Sequence, residues 1–347
     1  MLSRCASSGS LRESGLRQAS TMVSRRFIPS RLDGVENVQD YQPGGFHPIS
    51  IGDAFEQGRF GVLHKLGFGG SSTVSLARDQ QNRSLVTLKA LRADMSSSSA
   101  VNQIPELVIS QKLKATESKA TNFQTVDHHF SVRGPNGTHF FFVTPFAEPS
   151  ISAMYDCPGR TIGSRRLRAD LARKAAKQTA EAVHHMHCAG IVHGDLTTSN
   201  ILFRPSARML AGSDAEVYAY LGEAETEAVG TCDRQLVGPH APTMLVEPVQ
   251  NSRLSDASLL EENIIVSDFG QAGFEADVWS LGCAIFEIRA GFPLFESFLG
   301  SDDGILKQTV EMLGRLPDPW WNAFGKRGLC FEEDGQHKNE EQKRAGT

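Results

Sequence analysis

The sequence predicts an α+β chain in two lobes: a small antiparallel β lobe carrying one helix, then a larger, mostly helical lobe. Three observations lead there. Residues 59–92 break into three runs, RFGVLHKLG, STVSLARD and SLVTLKALR, which alternate apolar and polar residues and are separated by turn residues. A single stretch of helical apolar spacing follows at 106–114. Beyond residue 147 the character changes, and the strongest signals are long helical segments at 164–189 and 277–290.

Residues 1–32 hold six arginines and one acid, Glu13, about +5, whereas the whole chain of 347 residues is −5, which leaves about −10 for the rest. Serine- and arginine-rich, acid-poor composition has two readings, a mitochondrial transit peptide or a disordered leader with Met22 as an alternative start. Residues 1–40 are therefore expected to be a disordered or targeting-like leader. The acidic body is a poor match for nucleic acid and a better one for a basic partner. The longest apolar stretches, such as 140–143 and 284–286, are far too short to span a bilayer. Six cysteines without CxxC spacing argue against zinc and against a disulfide framework, and fit a reducing compartment, cytoplasm or nucleus.

The small lobe is expected over 41–147. It begins with the Gly/Pro-rich YQPGGFHPISIGD (41–53), runs through the three strands and crosses a polar loop at 96–99. It continues with ELVISQKLK (106–114), whose stripe is Leu107, Ile109 or Ser110, and Leu113; Pro105 suits a helix's first turn. HFFFVTPF (139–146) reads as a buried strand ending at a proline. The large lobe is expected over 148–325. Its first helix, 164–189, buries Leu167, Leu171, Ala175, Ala182, Val183 and Met186 and stops at Gly190. Residues 204–262 read as a polar, irregular insertion, DVWSLGCAIFEIRA (277–290) as an apolar helix, and 326–347 as a disordered tail.

Two motifs carry the chemistry. IVHGDLTTSNILF (191–203) places Asp195 and Asn200 five positions apart in one loop, between a helix stop and an apolar strand. IIVSDFGQA (264–272) places Asp268 after a short apolar run. Phosphoryl transfer from ATP needs these groups: one carboxylate to orient and deprotonate the attacking hydroxyl, a carboxamide and a second carboxylate to hold Mg2+ on the phosphates. LGFGGSSTV (66–74) offers glycines that let a backbone approach phosphates, a weak signal alone. Lys89 strengthens it, 22 residues after Gly67 and flanked by Val86, Leu88, Ala90 and Leu91. A lysine in such a run needs a partner, and Glu106, 17 residues on, can supply it. Between the lobes, Pro145 C=O and Ala147 N–H are the groups expected to face the base. His184, His185 and His187 cannot all face one way on a helix, so surface and packing roles suit them better than a metal site. Trp320 and Trp321 read as packing residues.

The order of these motifs resembles the eukaryotic protein-kinase family over residues 58–325. More narrowly, GGFHPISIGD, GRFGVLHKLGFGGSSTVSLARD, the long spacer before DFG and LGRLPDPWWNAFGKRG look like fungal serine/arginine-rich-protein-specific kinases (SRPK). The resemblance implies a bilobal protein-kinase-like fold and serine/threonine phosphorylation with Mg-ATP, on a protein substrate of Arg/Ser-rich type. By motif matching it implies that Leu66, Gly67, Gly69 and Val74 line the phosphate loop and Lys89 and Glu106 form an ion pair. Asp195 would be the catalytic base, Asn200 and Asp268 the metal ligands, and Asp277 the helix aspartate that holds the catalytic loop.

Three departures stand out. Gly194 precedes Asp195 where most kinases have an arginine; SRPK members also lack it and are regarded as constitutively active. Thr197 stands where a lysine usually neutralises the γ-phosphate, which should lower the rate. Only six residues separate Gly270 from Asp277, so the activation segment is nearly absent, and the last helices of the large lobe are expected to be missing. Two other readings compete: a nucleotide-binding pseudokinase scaffold, and a small-molecule kinase of the aminoglycoside-phosphotransferase type, in which HGDLxxxN is common but the DxWSxG helix is usually lacking.

Overall fold

The computed structural model describes residues 25–96, 104–115, 122–154, 159–162, 166–269, 274–296 and 302–338. The expected polar loop at 97–99, Gly270, the first 24 residues and the end of the tail lie outside them.

The small lobe is a six-stranded antiparallel sheet in the order β1-β2-β3-β4-β6-β5. Its strands are β1 (Ala54–Phe55), β2 (Phe60–Phe68), β3 (Ser72–Asp79), β4 (Ser84–Leu91), β5 (His128–Gly134) and β6 (Gly137–Pro145). The three runs predicted from alternation are β2, β3 and β4. The strand β5 was not predicted; its polar HHFSVRG half-buries alternate residues against β6 at a sheet edge. Helix α1 (Pro105–Ala115) opens on Pro105 and buries Leu107, Ser110 and Leu113. Its stripe closes over β4 and β6 through Leu91, Leu107, Phe140 and Phe142.

In the large lobe, the short hairpin β7 (Thr161–Ile162) and β8 (Arg166–Leu167) precedes α2 (Ala169–Cys188). The helix thus begins five residues later than the periodicity indicated, because Leu167 is in β8 and still faces the same core. β9 (Ile201–Pro205) leaves the Asp195 loop. The chain then forms α3 (Ala207–Ala211), α4 (Asp214–Leu221), the hairpin β10 (Thr226–Ala228) and β11 (Met244–Val246), and α5 (Asn251–Leu254). β12 (Leu260–Val266) returns to pair antiparallel with β9. Helices α6 (Phe274–Ala290), α7 (Asp302–Leu313), α8 (Asp318–Ala323) and α9 (Arg327–Cys330) follow.

Three expectations are corrected. The insertion 204–262 is a built subdomain. Met209, Val217, Leu221, Val249 and Leu254 pack on Leu63, Leu76 and Leu85 of the small-lobe sheet. Arg78 ties it down by donating to Asp214 at 2.8 Å and to the Gly212 carbonyl at 2.7 Å. Its apolar residues are widely spaced among polar ones, which hid the packing. The leader's expected boundary at 40 moves forward, since Phe27, Val38 and Tyr41 join Ala241 and Leu245 of the insertion in one buried cluster. At the other end, residues 327–338 are packed: Phe331 is buried with Trp321 and Phe324, an apolar anchor inside a charged stretch. Trp321 is a packing residue, whereas Trp320 is exposed.

Candidate active site

Three elements converge on the cleft between the lobes. β4 delivers Lys89, paired in register with Val74 of β3 and Phe142 of β6, so its side chain leaves the centre of the sheet. α1 delivers Glu106 from its first turn, and the ammonium of Lys89 donates to that carboxylate. Lys89 also donates to Asp268 Oδ1 at 2.7 Å. Burial alone would push the Lys89 ammonium down; the Glu106 and Asp268 carboxylates outweigh it and hold the group above its ordinary value. Asp268 takes a left-handed φ of +57°, a conformation unfavourable for a non-glycine residue and one that the surroundings must impose. They do so on its next neighbour: Phe269 is buried, its ring 6.3 Å from Phe123 and 5.4 Å from His193.

The Asp195 loop is held from beneath. Asp277, 1% exposed in the first turns of α6, accepts the backbone N–H groups of His193 at 2.7 Å and Gly194 at 2.8 Å. Gly194 has φ +80°, in the region that favours glycine, so an arginine at this position would be strained in this loop. His193 Nδ1 accepts from the Asp195 N–H at 3.2 Å, so Nε2 carries the ring proton and donates to the Ser267 carbonyl at 3.0 Å. Burial keeps His193 neutral by lowering its pKa, against the pull of Asp277. The loop and the strand before Asp268 are thereby joined through one imidazole. Asn200 Nδ2 donates to the Asp195 carbonyl at 2.8 Å, which leaves its Oδ1 as an acceptor.

The cleft has a volume of about 550 Å3, within the size range of nucleotide and cofactor pockets. Leu66, Gly67, Gly69, Val74, Lys89, Glu106, Ala147, Asn200 and Asp268 all line it. Asp195 is exposed and outside the lining, tied to it by Asn200 Nδ2, which donates to its Oδ2 at 3.3 Å. Pro145 is a correction: it is not in the lining, and its carbonyl accepts from Gln124 Nε2 at 2.9 Å. Residues that sequence reasoning missed include Thr87, Gln124, Glu148 and Leu202. Leu202 was visible in the apolar strand after Asn200, but the acid after Ala147 carried no motif. Burial pushes the Glu148 carboxyl up to about 7, against the Ser150 N–H that lowers it. His187, expected in a surface or packing role, reaches Asp277 with Nε2 at 2.9 Å.

The residues fit a nucleoside triphosphate with Mg2+. A Cβ at Gly67, Gly69 or Gly70 would meet no protein atom within 4 Å, so that space belongs to the cleft and lets main chain approach a ligand. The Thr87 hydroxyl on the cleft wall is buried without a hydrogen-bond partner. The Asn200 carboxamide oxygen and Asp268 carboxylate are hard oxygen donors, and Mg2+ is commonly held by one or two such groups plus phosphate oxygens and water. Among the described residues no group of three or more His, Cys, Asp or Glu could hold a metal alone.

Comparison with known proteins gives the same answer. Residues 60–232 match the protein kinase domain. The chain belongs to the protein kinase family. Within that family it is SRPK-like. It is 28% identical to the serine/threonine-protein kinase SKY1 of Saccharomyces cerevisiae, over 48% of this chain and 23% of that protein. It is 32% identical to the protein kinase dsk1 of Schizosaccharomyces pombe, over 48% of this chain and 30% of that one. A serine/threonine-protein kinase SRPK of Physarum polycephalum aligns over 87% of this chain and 78% of its own length at 23% identity. The chain spans less than a third of the length of the first two relatives.

Proposed function

We propose that this kinase chain transfers the γ-phosphate of ATP to serine or threonine hydroxyls of protein substrates, and that Arg/Ser-rich segments are the preferred class. The observation that carries the reading is the joined geometry of Lys89, Glu106 and Asp268 with an Asp195 loop held by Asp277. Lys89 is placed to bind the α- and β-phosphates, and Glu106 keeps its ammonium from swinging away. Asn200 and Asp268 would hold Mg2+, which when bound neutralises charge on the phosphates. Asp195 accepts the proton of the attacking hydroxyl at its carboxylate. The acidic body suits a basic substrate by long-range attraction. The scattered cysteines support work in the cytoplasm or nucleus.

One pair of observations favours a second reading, a nucleotide-binding scaffold with little turnover. Thr197 supplies no positive charge beside the transferring group. Residues Phe274, Glu275 and Ala276 of the expected six-residue link already belong to α6, so only 270–273 connect Phe269 to that helix. Such a link cannot build a surface that holds a peptide in line with the γ-phosphate.

The test uses purified chain, Mg-ATP and an Arg/Ser peptide, with a small alcohol as control acceptor. Lys89→Ala should weaken binding of a fluorescent ATP analogue. Asp195→Asn should abolish peptide phosphorylation and leave nucleotide affinity nearly intact. Turnover retained in Asp195→Asn would overturn the assignment of the base. Binding without turnover in the wild type would favour the scaffold.

A further inference from the structure

A buried charged cluster lies outside the cleft, on the strand that leads into the glycine loop. Lys65 in β2 is 8% exposed, and its ammonium donates to Glu36, itself 4% exposed. The hydroxyl of Tyr41, 3% exposed, donates to the other oxygen of the same carboxylate. Burial lowers the Lys65 pKa, and the Glu36 carboxylate opposes it. Glu36 and Tyr41 come from the segment before the sheet, which precedes the stretch matched by the kinase family. The insertion holds the same residue from another side: Val249 N–H donates to the Lys65 carbonyl at 2.9 Å. Lys65 therefore stands where three separate parts of the chain meet.

Its neighbours give this position a consequence. Leu66 and Gly67 follow it directly and line the nucleotide cleft. The β2–β3 register shifts between Lys65 and Gly67, so the strand is irregular at the point where it becomes the loop. The ladder resumes at Gly67↔Val74 and Phe68↔Thr73, so the anchor at Lys65 sits at the irregularity just before the loop's own pairing. The Lys65 ammonium also lies 5.7 Å from the ring centroid of Phe68, the last residue of β2, 42% exposed in the cleft lining. One ammonium thus links the anchored Glu36 to the loop. Buried ion pairs add little net stability compared with apolar replacements, and some are kept because they fix a register.

We infer that Glu36, Tyr41 and Lys65 are positioning residues for the phosphate loop, fixing the path of residues 66–70 and so the affinity for a nucleoside triphosphate. The inference rests on the kinase reading for its ligand, but its loop geometry can be measured without one. Removing all three polar groups together, in Glu36→Leu/Tyr41→Phe/Lys65→Met, leaves no unpaired buried charge and should keep the fold. Amide hydrogen exchange across 66–72 should then rise about tenfold, and the Kd for a non-hydrolysable Mg-ATP analogue should rise about tenfold, corresponding to ~1.4 kcal/mol. Thermal unfolding should stay near the wild-type midpoint. Lys65→Arg keeps the charge but changes its reach. It should fold and raise Kd several-fold, so it decides the matter if the triple variant does not fold. Unchanged exchange in the triple variant, or unchanged Kd in Lys65→Arg, would overturn the positioning role and leave the cluster as a fastening for the flank alone. A wild-type chain that binds no nucleotide would defeat the kinase reading, while loop exchange would still decide the role of the cluster.

Discussion

Replacing Asp277 by alanine should unfasten the catalytic loop without touching any cleft residue. The carboxylate is 1% exposed and accepts two backbone N–H groups, His193 at 2.7 Å and Gly194 at 2.8 Å, besides the His187 ring at 2.9 Å. Hydrogen bonds to a charged acceptor contribute about 1.5–3 kcal/mol each, and the buried His193 N–H would be left without its acceptor. The two backbone bonds together give roughly 3–6 kcal/mol of loop destabilisation. At 1.4 kcal/mol per factor of ten, that is about a hundredfold or more in local opening. Amide exchange at His193 and Gly194 should rise by that factor, with turnover lost and nucleotide binding reduced far less. Asp277→Asn should fall between, because a carboxamide can accept from one N–H but turns its own donors toward the other. Wild-type exchange rates at both amides in Asp277→Ala would refute the account, and would mean that the β9–β12 pairing and the His193–Ser267 contact hold the loop without it.

Other outcomes follow from the same geometry. Thr197→Lys should raise peptide phosphorylation tenfold or more at saturating ATP, since it places a cation where the transferring group carries charge; steady-state kcat checks this. His47 has its pKa lowered to about 4 by burial and by His139, so it stays neutral in the fold. Stability from this group is full above about pH 6.5 and is lost as pH falls toward 4, by about 3 kcal/mol in total, since only the unfolded chain takes up the proton over that interval. Urea titrations at pH 7.5 and 4.5 should show the loss, and His47→Phe should flatten it. The outer face of α6 exposes Phe274, Val278, Trp279 and Phe286, an apolar surface that should drive self-association. Light scattering of Val278→Lys/Phe286→Lys should fall well below wild type with little change in melting temperature.

Much of the site was legible because its chemistry is local in sequence. Asp195 and Asn200 share one loop, and Asp268 follows one apolar strand, so each could be matched to a known local motif. Lys89 was legible because a charge inside an apolar run demands a partner. What failed was non-local. Pro145 lies at the right place in the chain, but Gln124, 21 residues earlier, has taken its carbonyl. The pairing of Glu36 with Lys65 spans 29 residues and has no motif. Insertion packing failed for the same reason: Met209, Val217 and Val249 are ordinary apolar residues until the sheet they cover is known. The β5 strand was hidden by its own edge position, where one face stays polar.

The insertion has one further effect, on motion between the lobes. It leaves the large lobe at the end of β9 and crosses to the small lobe. There it is fastened at Arg78, at the Leu63 carbonyl through the Tyr218 hydroxyl at 3.0 Å, and at the Lys65 carbonyl, before β12 carries it back. The lobes are therefore tied a second time beside the 145–150 connection, where Phe146 packs in the same cluster as Met209, Val217 and Leu254. A hinge with a second leaf bolted across it is stiff, and cannot swing wide without first loosening that leaf. Departure of a spent nucleotide would then depend on the glycine loop lifting, a local movement, and the time a nucleotide spends bound would be set by that flap and not by the swing of whole lobes.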